Sequence, residues 1–159
     1  MTFLLWLSQT APVVWARESD SVWGYPTILF LHTFGLSLLV GFTAALDCRV
    51  LGFAEHLPLA PLERFFRFIW IGFWINAISG VALLIMTPTK LFNPAFAWKM
   101  AFIGLGVVNT LYLRRLAFRN PSSTIGVTAT AKALAATSLV VWGGAITAGR
   151  LMAYVGGFR

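Results

Sequence analysis

The chain predicts an all-α fold, a four-helix transmembrane bundle with an N-terminal interfacial helix, and three observations predict it. Hydrophobic residues fill 58 % of the 159 positions and charged residues only 11 %, against about a quarter charged in an average soluble domain. Four apolar stretches, 25–46, 66–87, 95–116 and 132–153, each have the length needed to cross a hydrocarbon core of about 30 Å at ~1.5 Å per residue. Polar clusters rich in proline separate them, so 1–159 reads as a single membrane domain.

Charge and cysteine content narrow the function classes. Twelve Lys and Arg against five Asp and Glu give +7, which in a soluble protein would point to nucleic acid. Here the basic residues flank apolar runs, so the expected partner is the lipid bilayer and its headgroups, with no nucleic acid. The one cysteine, Cys48, excludes an internal disulfide and any paired-cysteine metal or c-type haem attachment site. No glycine-rich phosphate loop, zinc-protease helix or serine-hydrolase elbow occurs.

Residues 1–23 hold an apolar run too short to span, followed by Pro12, Trp15, Arg17 and Trp23, which suits a helix at headgroup level. The first span begins at Tyr25-Pro26, with proline in the first turn, and is expected to stop at Asp47-Cys48-Arg49. Gly41 and Ala45 form a small-residue pair suited to helix packing. The polar loop that follows includes His56, which reads as solvated. Thr87-Pro88 ends the second span, whose Asn76 and Ser79 read as interhelical hydrogen-bonding residues.

Lys90 to Pro94 turns the chain into a third span carrying Lys99 near its start, Asn109 deeper, and Arg114-Arg115 at its far end. Arg119 to Thr124 reads as a loop. The fourth span opens at Lys132, contains a second small-residue pair, Gly144 and Ala148, and meets Arg150. Four crossings place both termini on one side. Arg49, Arg64, Arg67, Arg114, Arg115, Arg119 and Lys132 fall on the loop side, and Arg17, Lys90, Lys99, Arg150 and Arg159 on the other. The positive-inside rule then puts both termini in the periplasm of a bacterial inner membrane.

This topology gathers His32, Lys99 and Arg150 at one end of the bundle without a membrane-embedded carboxylate to pair them. An imidazole and two cations so placed call for an anionic guest. Haem b meets that need: His32 supplies the metal ligand, while Lys99 and Arg150 neutralise the propionates. Gly35, Gly106 and Gly143 lie at helical spacing from these anchors and would offer side-chain-free surface to a flat macrocycle. A second axial ligand would be Lys99, water or a histidine of another subunit.

Several of these residues also carry a resemblance. Trp23, Tyr25-Pro26, Leu31-His32 and Gly35-Leu36, then Val40-Gly41, Asp47, Arg49 and Leu51-Gly52, then Asn93-Pro94, Phe96, Lys99-Met100 and Asn109, resemble a group of small four-helix bacterial integral membrane proteins of unknown function, over about Trp15 to Ala117. The order of a histidine in the first span and a lysine at the head of the third is, more remotely, similar to HemJ-type protoporphyrinogen oxidases and CopD-like membrane proteins. That similarity implies a b-type haem for His32 and Lys99. The HemJ-type Tyr-Leu-Pro-Arg signature is replaced here by Ala44-Ala45-Leu46-Asp47-Cys48-Arg49.

The expected function is haem-b redox or electron transfer within the membrane, with a quinone or a larger membrane complex as partner and a homo-oligomer as one possible assembly. The competing expectation, from another class, is a non-catalytic accessory subunit of a respiratory or photosynthetic complex.

Overall fold

A computed structural model describes residues 2–118 and 128–154, and these form helices and turns without a strand. The expected loop 119–124 and the run beyond Tyr154, including Arg159, lie outside the described residues. Two short helices, α1 (Thr2–Ser8) and α2 (Ala11–Glu18), precede four long ones: α3 (Tyr25–Leu51), α4 (Phe65–Met86), α5 (Pro94–Ala117) and α6 (Ala129–Tyr154). All four long helices have the length and hydropathy of membrane spans. The protein is thus a multi-pass, all-α membrane protein. We call the end where α3 and α5 begin the upper end.

The N-terminal segment differs from the single interfacial helix expected. Pro12 starts a new helix in its own first turn, and the break at Gln9-Thr10 lets α1 and α2 fold across the upper end of α4. Arg17 there donates to the carbonyl of Met86, the last residue of α4, at 3.4 Å, satisfying a helix-end acceptor.

The first span also runs past its expected stop. Gly52, at φ 115°, supplies the left-handed residue that ends α3, and the amide of Phe53 returns to the Cys48 carbonyl at 2.9 Å. Arg49 bonds the carbonyls of Leu57 and Glu55 at 2.7 and 2.8 Å, clamping the loop instead of ending the helix. Asp47, two residues earlier and about 200° round the helix, points inward and is 0 % exposed. An acidic side chain is therefore buried within a span, contrary to expectation.

Packing proceeds by two kinds of contact. Between α3 and α4, Gly35 and Gly72 bring backbone onto backbone: a Cβ on Gly35 would lie 2.6 Å from the Asn76 nitrogen, and one on Gly72 2.6 Å from the Leu39 nitrogen. Between α5 and α6, aromatic rings lie on glycines, Trp142 over Gly106 and Phe102 over Gly144. The α3–α6 contact joins the two pairs, whereas α4 and α5 meet chiefly at the lower end, where Phe66 and Phe118 stack edge to face and Arg114 lies over the Phe66 ring. The expected pair Gly144 and Ala148 does lie in a helix contact. Gly41 and Ala45 are exposed, with nothing near Gly41, because their spacing recurs on every face of a helix.

Substituting Gly72→Leu should cost about 1–3 kcal/mol of stability by forcing two backbones apart. Gly41→Leu, in open space, should leave stability unchanged. Unfolding the two variants in detergent micelles compares them directly.

Candidate functional site

The upper half of the bundle holds a polar cluster built on α3, α4 and α5. Because Gly35 and Gly72 let α4 approach closely, the polar face of its next turns reaches His32. The Nδ1 of His32 lies 3.0 Å from the carbonyl oxygen of Asn76 and 3.2 Å from the hydroxyl of Ser79. That hydroxyl donates its own proton to the Ile75 carbonyl at 2.6 Å, and the Asn76 amide donates to the His32 carbonyl at 2.7 Å. The Asn76 amide nitrogen is further from Nδ1, at 3.4 Å, so the nearest partner is the carbonyl, an obligate acceptor; a proton on Nδ1 and a lone pair on Nε2 match that contact.

Nε2 faces the Nζ of Lys99 across 3.5 Å. Lys99 extends from the second turn of α5 over Gly149 of α6, where a missing side chain leaves its aliphatic stem an open path. On the other side, Gly80 lies under the ring, and a Cβ there would come within 3.1 Å of its Cε1. Asn76 and Ser79 are buried; His32 and Lys99 are each part-exposed. Among the described residues the ion pairs are Arg17–Glu18 and Arg114–Glu63, so Lys99 has no carboxylate partner.

His32 and Lys99, expected at one end of the bundle, are therefore in contact. Arg150 is at the same level but follows Gly149 by one residue, about 100° further round α6, and is exposed. The three glycines do not form the flat surface expected of them. Gly35 is covered by the α4 backbone and Gly106 by the Trp142 indole, while Gly143 is exposed with no atom near it. Helix packing has taken the space that glycine opened. Asn76, Ser79 and Gly80 form the wall of the site instead. Asn76 and Ser79 were legible as hydrogen-bonding residues; their spacing from Gly72 on α4 is the signal that ties them to His32.

Chemically, the cluster offers one ring nitrogen with a free lone pair, fixed from behind by a backbone carbonyl and opposed by an amine. A ligating histidine is held in this way when its second nitrogen donates to a carbonyl. Among the described residues no three His, Cys, Asp or Glu side chains converge as a metal-ion site.

These features define a small helical membrane protein with an intramembrane histidine–lysine site. Comparison with protein-family models, curated proteins and solved structures finds no match to this chain.

Asn76→Ala should lower stability by about 0.6–2 kcal/mol, since it removes an interhelical hydrogen bond. Ser79→Ala should cost less, because the hydroxyl proton stays on its own helix. Equilibrium unfolding in mixed micelles ranks the two.

Proposed function

We propose that this protein holds a b-type haem in the outer half of a bacterial inner membrane and passes electrons through it, with the upper end of the bundle facing the periplasm. The observation that carries the reading is the orientation of His32: Nδ1 is engaged by the Asn76 carbonyl, and Nε2 is presented to Lys99, which has no acid partner among the described residues. One oriented imidazole would suit an iron ligand, and basic side chains at the same end would suit carboxylates on the same guest.

In this reading His32 holds the metal and Lys99 faces the ligating nitrogen, as a second ligand or as a propionate partner. Arg150 is the remaining cation at that end. Gly35 and Gly106 have no part, since neighbouring helices cover them. The haem, when bound, would supply one-electron chemistry at its iron. Asn76 and Ser79 fix the imidazole plane and its tautomer, and Gly80 leaves room for the ring to seat against α4. A quinone or a larger membrane complex would exchange the electron, in keeping with the resemblance to HemJ-type and CopD-like proteins.

Protein extracted in mild detergent should show b-type bands in a reduced-minus-oxidised spectrum, and His32→Ala should lose them. Wild-type protein without such bands, or bands indifferent to His32, overturns the assignment. Reporter fusions should place residues 53–59 in the cytoplasm and the N-terminus in the periplasm; the reverse pattern would move the site to the inner half of the membrane.

A further inference from the structure

The lower half of the bundle contains a second polar group that the His32 site does not use. Asp47 on α3 and Ser138 on α6 are both 0 % exposed and face one another across the seam between the two helix pairs. Neither carboxylate oxygen of Asp47 has a hydrogen-bond partner among the described residues, and neither does the Ser138 hydroxyl. Ser138 is six residues past Lys132, about 9 Å further into the membrane at ~1.5 Å per residue.

The behaviour of Ser138 is specific to this position. In the long helices the other buried hydroxyls, on Thr43, Ser79 and Thr110, each donate to the carbonyl four residues back, on Leu39, Ile75 and Gly106. For Ser138 that carbonyl belongs to Leu134, and it is already taken by the side-chain amide of Asn109 at 2.9 Å. Asn109 thereby occupies the local acceptor that the Ser138 hydroxyl would otherwise use. One turn above, the buried indole N–H of Trp142 is also without a partner.

Charge compensation for Asp47 has to come from elsewhere. On its own helix, Arg49 is spent on the loop carbonyls of Leu57 and Glu55. On α6, Lys132 is exposed below; on α5, Arg114 pairs with Glu63 and Arg115 is exposed. A bare carboxylate in hydrocarbon without a counter-ion is strongly disfavoured. A metal cation would need more oxygens than one carboxyl and one hydroxyl provide. A proton needs only these two groups.

We propose that Asp47 is an intramembrane proton-binding site: its carboxyl takes up a proton from the lower side, holds it as the neutral acid hydrogen-bonded to Ser138, and returns it to water on that side. The balance is that of a single acid. Uptake forms one O–H bond and removes the charge; release breaks it and leaves the carboxylate. The site stands independently of any haem, since none of its groups touches His32 or Lys99.

Infrared spectroscopy of the full chain in lipid nanodiscs tests this. At neutral pH, wild-type protein should show a protonated-carboxyl C=O stretch that shifts with ¹³C-aspartate labelling and again on transfer to D₂O. Asp47→Asn should abolish the band, Ser138→Ala should move it to higher frequency, and Asp20→Asn, at the other aspartate, should leave it unchanged. Because the label and Asp20→Asn assign the band without the Asp47 variant, a folding failure of that variant leaves the test intact. Absence of the band in labelled wild type, its survival in Asp47→Asn, or its failure to shift in D₂O overturns the proposal.

Discussion

Gly35 and Gly72 meet at a separation that admits no side chain on either helix, and the geometry of the upper cluster descends from that contact. A helix pair held at ordinary side-chain distance would keep Asn76 and Ser79 out of reach of His32. At the glycine crossing the Asn76 amide spans to the neighbouring backbone, and its own carbonyl meets the imidazole. The orientation of a single ring nitrogen is therefore a property of how two helix backbones meet. Hydrocarbon around the bundle strengthens the argument, since a polar group that loses its partner there finds no water to replace it.

The remaining polar side chains follow the same economy. Thr43, Ser79 and Thr110 return their protons to their own helices, Asn109 ties α5 to α6, and Arg17 covers a helix end. Against that background, Asp47, Ser138 and the indole of Trp142 stand out as buried polar groups left open at the seam joining the two helix pairs. Removing water from a carboxyl without supplying a counter-charge makes its proton the natural compensating ion.

Hydropathy alone made the fold class legible, and with it the ends of three of the four long helices to within three residues, because the bilayer sets helix length with little help from side-chain detail. The convergence of His32 and Lys99 was legible from topology, since alternating crossings place both at one end. Details that depend on helix rotation were not. Asp47-Cys48-Arg49 reads as one polar stop, yet consecutive residues face different directions, and only the first lies in the inward stripe of Leu39, Thr43, Leu46 and Val50. Extending that stripe through Asp47 to the glycine stop at Gly52 would have found it. The roles of Gly35 and Gly106 were misread for a related reason: a gap on a helix surface attracts whichever neighbour arrives first, and here these were α4 and an indole.

The two kinds of interhelical contact also divide the bundle into two pairs. Backbone meets backbone between α3 and α4, whereas an indole and a phenyl ring fill the glycine gaps between α5 and α6. His32 belongs to the first pair and Lys99 to the second. The clearance before Nε2 is consequently set by how one pair docks on the other along the α3–α6 contact, and by neither helix alone.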